Sequence, residues 1–226
     1  MRFTKAQTNG NDFVIIDVDT NIVSDFQKKL LADRKFGVGC DQIIFVKSGE
    51  NRYIADFFNQ DGSHADMCGN GSCALVLYLR KKYGLENIDL EVSGKMYKTI
   101  ISGDEATISF PMPKRNGNII DTGNKHLVLK MADISRVEEI VKANSDCNLH
   151  FVEKLSDNEI RVKTFERGVG WTLACGSGAI AVGFHSGIVG KIKIIHDGGE
   201  SMVEVKKSHI HLTTAPRLVF EGEFYV

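Results

Sequence analysis

The 226-residue chain has only three prolines and one tryptophan, no surplus of either charge, and no apolar run near the length of a membrane span. So few prolines exclude a Pro-rich spacer as an organising element. Twenty-eight Lys and Arg against 29 Asp and Glu exclude the electrostatic footprint of a nucleic-acid binder or of a protein held on an anionic membrane. A small molecule is therefore the expected partner. Residues Met1 to Asp17 lack the basic, apolar and small-residue order of a signal peptide, which makes the cytosol the expected compartment. Five cysteines, an odd number at irregular spacing, do not make a disulfide framework and are expected as reduced thiols. What is present, 42% hydrophobic and 25% charged residues, is the composition of a globular protein with a sizeable core.

Glycine is plentiful at 22, which suits tight turns and close backbone approaches. Short β-type runs dominate, from Phe13–Asp17 to Leu218–Tyr225, and several alternate polar with apolar residues as half-buried strands do. Ser93-Gly94 reads as a hairpin turn between two of them. Two segments, Ser24–Arg34 and Asp133–Ala143, have amphipathic helical spacing behind an N-capping residue. Two others, Ser72–Tyr83 and Ala179–Ser186, are apolar around most of their circumference, the mark of helices buried inside a surrounding sheet, and Gly84 and Gly187 stop them.

The two buried helices are entered through nearly the same peptide. Cys68-Gly69-Asn70-Gly71 is answered 107 residues later by Cys175-Gly176-Ser177-Gly178. Gly10-Asn11-Asp12-Phe13 is similarly answered by Gly123-Asn124-Lys125-His126, and Cys40-Asp41-Gln42 is matched to Cys147-Asn148-Leu149. Three marks in one order imply two homologous halves, 1–112 and 113–213, divided where Pro111 and Pro113 close a strand, with the last strand in 214–226 expected to return to the first half.

A cysteine directly before a helix has its sulfur near unpaired N–H groups and the positive dipole end, which favours the thiolate. The small residues that follow expose backbone donors able to hold a carboxylate. Two such turns facing each other across a cleft would place two sulfurs on opposite faces of an α-carbon, the arrangement that stereoinversion of an amino acid requires. Cys40, Cys73 and Cys147 lack that context and read as buried small hydrophobes. His64, Cys68 and Cys73 lack matched zinc-ligand spacing, and Gly69-x-Gly71-x-x-Ala74 lacks the apolar strand that a dinucleotide turn follows.

At these residues the chain resembles the diaminopimelate epimerase family, amino-acid epimerases of bacterial lysine and peptidoglycan synthesis that need no pyridoxal phosphate. The resemblance spans nearly the whole chain. It rests on Gly10-Asn11-Asp12-Phe13, Phe58-Asn59-Gln60-Asp61-Gly62-Ser63, Met67-Cys68-Gly69-Asn70-Gly71, Glu166-Arg167-Gly168-Val169-Gly170 and Thr172-Leu173-Ala174-Cys175-Gly176-Ser177-Gly178. It implies an α/β fold of two pseudo-symmetric halves, each a mostly antiparallel sheet wrapped around a central buried helix, with the active site in the interdomain cleft. It implies Cys68 and Cys175 as acid and base, Gly69, Asn70, Gly176 and Ser177 around the α-carboxylate, and Asn11, Gln42, Asn59, Asn124, Asn148, Glu166 and Arg167 toward the distal end of the substrate. His126 and Glu166 are implied as tuning thiol protonation. No cofactor, metal, nucleic acid or membrane is implied; a homodimer is.

The run Ala6 to Asn9, Ser72, Lys125 and Trp171 depart from the family's usual residues, and the second half is shorter than usual. The expected activity is interconversion of LL- and meso-diaminopimelate. Two alternatives stand beside it: a related racemase or epimerase of another amino acid, such as histidine, and a non-catalytic amino-acid-binding relative. Retention of both Cys68 and Cys175 speaks against the last.

Overall fold

The computed structural model describes residues 1–18 and 23–225. The chain divides into two compact units, one of Met1–Ile108 with Thr214–Val226 and one of Ser109–Thr213. In the first unit the order is β1 (Arg2–Thr8), β2 (Asn11–Ile16), α1 (Asp25–Ala32), β3 (Gln42–Gly49), β4 (Arg52–Asn59), β5 (His64–Ala65), α2 (Gly69–Tyr83), β6 (Asn87–Val92), β7 (Lys95–Ser102) and β8 (Glu105–Pro111). In the second it is β9 (Lys114–Asn116), β10 (Ile119–Asp121), β11 (Lys125–Lys130), α3 (Val137–Ala143), β12 (Asn148–Lys154), β13 (Glu159–Glu166), β14 (Gly170–Thr172), α4 (Gly176–Ser186), β15 (Gly190–His196), β16 (Gly199–Val205) and β17 (His209–Thr214). The last strand, β18 (Arg217–Glu223), pairs antiparallel with β1, and Phe224 N–H donates to the Met1 carbonyl.

The same pairing sequence runs through both units. β1–β2, β3–β4, β6–β7 and β7–β8 are antiparallel, while β2–β3 and β4–β6 are parallel. In the second unit β10–β11, β12–β13, β15–β16 and β16–β17 are antiparallel, while β11–β12 and β13–β15 are parallel. Even the short strand before each central helix recurs, β5 on β4 and β14 on β13. The fold is α/β, two related halves each built as a mostly antiparallel sheet around one buried helix.

Register corrects one detail of the repeat. Phe13 pairs with Gln42 and His126 pairs with Asn148, so Gln42 corresponds to Asn148 and the match of Cys40 to Cys147 is one residue out.

The central helices follow from their sequences. Gly69 to Leu79 of α2 are all buried, so the helix is shielded on every side, and α4 repeats this over Gly176 to Gly183 except at half-buried Ser177. Both end at a glycine in the left-handed conformation, Gly84 at φ 71° and Gly187 at φ 72°. Ser93 and Gly94, at φ 48° and 72°, form the tight turn that sets Val92 opposite Lys95. α1 starts at Ser24 with a reciprocal capping box to Gln27, but ends at Ala32, two residues short of expectation.

The other amphipathic segment is not one helix. Met131–Arg136 is a 3₁₀ turn that passes into α3, and Asp133 caps nothing. The spacing explains the break. Met131, Ile134 and Val137 recur every third residue and Ile140 and Val141 follow at α-helical spacing, and all five pack on Leu127, Leu149 and Phe151. Among the described residues no helix is long and apolar enough to cross a membrane.

Candidate active site

Each repeated cysteine occupies the N-cap of its central helix. Cys68 has φ −129° and ψ 113°, Cys175 φ −134° and ψ 115°. Each carbonyl accepts the first helical hydrogen bond, at 2.9 Å from Ser72 and from Ala179. Each sulfur accepts a backbone N–H, from Gly71 and from Gly178, at 3.4 Å in both cases. Sulfur thus stands where a Ser or Asp oxygen caps other helices, facing the positive dipole end. Cys68 is half-buried and Cys175 buried.

Around Cys68 the first unit builds a polar chain. The Cys68 thiol donates to Asn11 Oδ1 at 3.7 Å, and Asn11 Nδ2 donates to Asp41 Oδ2 at 2.8 Å. Gln42 Nε2 donates to Asn59 Oδ1 at 3.0 Å, and Asn59 Nδ2 to Ser63 Oγ at 3.1 Å. Asn70 is buried with its Oδ1 unpartnered, and its carbonyl accepts from Thr8 Oγ1 at 3.0 Å. Gln42 Oε1 is likewise buried and unpartnered. Buried acceptors without donors are costly, and a ligand carrying N–H groups is what would satisfy them.

The second unit sets different partners around Cys175. Ser177 Oγ lies 3.4 Å from its sulfur. Asn148 Oδ1 accepts from Arg167 N–H at 3.0 Å, and Glu166 Oε1 accepts from Thr172 Oγ1 at 2.8 Å. The Asn124 side chain and the Arg167 side chain are exposed. His126 is fully buried, with Nε2 3.0 Å from Thr122 Oγ1 and Nδ1 2.8 Å from His150 Nε2; His150 Nδ1 is in turn 3.1 Å from Thr164 Oγ1. The His150 ring lies against Gly178, where a Cβ would come within 2.1 Å of Cε1. Burial holds His126 at about 4 and His150 well below the usual imidazole range, so both rings are neutral.

Within the first unit the structure brings Asn11 to Cys68 and Gln42 to Asn59; within the second it puts Ser177 beside Cys175 and Asn148 beside Arg167. His126 bonds to Thr122 and to His150, a residue to which the local sequence assigns no part. Its signal lay in the register: it stands two residues beyond Asn148 on the face that turns toward α4. Asp41 and Thr164 were also passed over, since a carboxylate at a strand end and a strand threonine carry no motif of their own. The three cysteines read as packing are buried, and burial pushes Cys40 and Cys73 up to about 12.

The model of the family described as Diaminopimelate epimerase matches residues 3–115 and 118–219. The chain belongs to the diaminopimelate epimerase family. Membership puts it among the amino-acid epimerases and racemases. Diaminopimelate epimerases of Aquifex aeolicus and Teredinibacter turnerae are 31% and 29% identical to it, over 98% and 99% of this chain and 97% and 98% of theirs. A phenazine biosynthesis protein of the PhzF family from Bacillus anthracis has the same fold, with a TM-score of 0.75 at 15% identity over 100% of this chain and 99% of that one. So does a probable proline racemase from Agrobacterium radiobacter with bound carbonate, with a TM-score of 0.74 at 11% identity over 100% and 93%.

Within this diaminopimelate epimerase fold the departure at Trp171 places a half-exposed ring at the edge of an apolar layer. Trp171 pairs with Phe165 and its ring contacts Phe165 and Phe151, on the side of the sheet covered by α3. Its neighbour Thr172 pairs with Thr164 and turns the other way, to Glu166.

Proposed function

We propose that the protein interconverts LL- and meso-diaminopimelate by a two-base mechanism in which Cys68 and Cys175 act on opposite faces of the α-carbon. The observation that carries this reading is the duplication of one chemical device: two cysteines at two buried helix N-caps, with matching backbone angles and matching N–H to sulfur distances. A binding module needs neither thiol.

One sulfur, as thiolate, takes the α-proton; the C–H bond breaks, an S–H bond forms, and the electron pair moves toward the carboxylate. Donors preorganised at a helix N-terminus favour that developing charge over the ground state. The opposite thiol then gives its proton to the other face, so the configuration inverts and the two sulfurs exchange roles. Asn70 and Gln42, with their unpartnered oxygens, suit an ammonium, while Arg167 suits a distal carboxylate and Glu166 a second ammonium.

Trp171, half-exposed against Phe165, lies on the face of the strand opposite to Thr172 and Glu166, so this departure leaves the Glu166 side as the family has it, which supports the family's own substrate over another amino acid. The deciding assay incubates the protein in heavy water with single amino acids, without added pyridoxal phosphate, and reads α-carbon deuterium. Exchange into diaminopimelate is expected. Exchange only into another amino acid moves the substrate, and no exchange into any reduces the protein to a binder.

A further inference from the structure

Asn11 is not free to turn its amide. Asp41 Oδ2 takes a hydrogen bond from Asn11 Nδ2 at 2.8 Å and from Asp12 N–H at 3.1 Å, and a carboxylate can only accept. The amide nitrogen is therefore fixed toward Asp41, and the carbonyl Oδ1 is the atom turned to Cys68.

Asp41 is itself held. Its Oδ1 accepts from Arg34 Nη2 at 2.7 Å, and its N–H donates to Asp12 Oδ1 at 2.9 Å. Arg34 also grips Asp12 with both terminal nitrogens, at 2.7 and 3.0 Å. Lys5 Nζ donates to Asp12 Oδ2 at 2.6 Å and to the Gly39 carbonyl. The charged groups facing this cluster are thus Asp12, Asp41, Arg34 and Lys5, two of each sign, and beside them lies the protonated Cys40 thiol. Burial alone lifts the Asp12 carboxyl, but Arg34 and Lys5 outweigh it and leave it at about 2, so Asp12 stays ionised across the working range.

We infer that Asp41 is a positioning residue that keeps the resting proton on Cys68, by holding the Asn11 amide with its carbonyl toward the sulfur. A carbonyl oxygen can accept from a thiol and repels a thiolate. Ser177, beside Cys175, has a hydroxyl that serves either state, accepting from a thiol or donating to a thiolate. The two sulfurs thus receive different instructions: Cys68 is the acid at rest, leaving Cys175 as the base. The catalytic meaning of this difference rests on the proposed epimerase reaction; the difference itself does not.

The test is the pH dependence of Cys68 alkylation by iodoacetamide in the full chain, read peptide by peptide by mass spectrometry so that Cys175 is followed separately. In Asp41→Ala the released amide can turn its N–H to the sulfur, and the Cys68 titration midpoint should fall, with alkylation at pH 7 rising about five- to tenfold. Arg34→Leu, which leaves Asp41 in place but less firmly held, should give a smaller shift in the same direction. Asn11→Ala removes the acceptor and should also lower the midpoint. On that background Asp41→Ala should change nothing further, because Asp41 acts through Asn11. Circular dichroism confirms that each variant is folded before it is scored, and Arg34→Leu serves if Asp41→Ala does not fold. An unchanged Cys68 midpoint in the folded variants overturns the inference, as does an equal Asp41 effect with and without Asn11. Since no turnover is read, absence of epimerase activity would leave this result standing or falling by itself.

Discussion

The entrances of the two central helices share a backbone and differ in what supports them. Under α2, the groups nearest to Gly71 are Phe57, Phe13 and Ile44, an entirely apolar floor. Under α4, the positions that correspond by strand register are Thr164, His126 and His150. One half seats its cysteine loop on oil and the other on a hydrogen-bonded chain of four side chains, Thr122, His126, His150 and Thr164. Each works for a different reason. The apolar floor needs only close packing, whereas the polar one must pair its ring nitrogens and hold its rings neutral, because a buried unpaired group costs roughly 1–3 kcal/mol. The fold constrains where the cysteines stand and leaves open what lies beneath them.

If both sulfurs are needed for every inversion despite their different floors and resting states, Cys68→Ser and Cys175→Ser should lower kcat for epimerisation alike, each by about a thousandfold, a loss of about 4 kcal/mol in barrier lowering. A mild effect in one alone would mean that inversion does not need both.

The glycines sharpen it. Gly178→Ala should cost about 2–4 kcal/mol in urea denaturation, since the new methyl meets a His150 ring pinned by two hydrogen bonds; Gly71→Ala meets Phe57 at 2.8 Å and should cost less. His150→Ala should recover much of the Gly178→Ala loss, and failure to do so would mean the ring is not the obstacle.

Substituting His150 alone by Ile, the residue at the matching place under α2, strands His126 Nδ1 and should cost about 1–3 kcal/mol. Adding His126→Phe and Thr164→Phe removes the stranded groups and should regain part of that loss.

Counted for one ring and one pH unit, the smallest effect is pH dependence. Burial holds His126 and His196 at about 4 and His150 well below the usual imidazole range. With folded values depressed, the unfolded chain takes up protons first as the pH drops. The stability these neutral rings contribute is therefore complete above the imidazole value of 6.5 and is lost as pH falls toward 4, by about 1 kcal/mol per pH unit for each ring. The triple substitution should remove the contributions of two rings and leave that of His196; an unchanged slope would mean that His126 and His150 are not neutral in the fold.

The sequence made the repeated architecture readable because burial leaves a local record. Apolar faces all round marked α2 and α4, and the repeated Cys-Gly-x-Gly located their entrances. The 3₁₀ turn at Met131–Arg136 was missed because three-residue spacing resembles a helix until it is counted. The polar floor was missed for a deeper reason. His150 and Thr164 are adjacent only across paired strands, and nothing in the local sequence of either announces the other. Asp41 was hidden in the same way, its part being defined by an amide thirty residues away.

If two sulfurs serve two faces of one carbon, the position of isotope in the early product will show it. With a single diaminopimelate isomer in heavy water, stopped at low conversion, two bases deliver solvent deuterium to the inverted product while the remaining substrate keeps its hydrogen. Deuterium appearing equally in substrate and product at that stage would mean one shared base and not two.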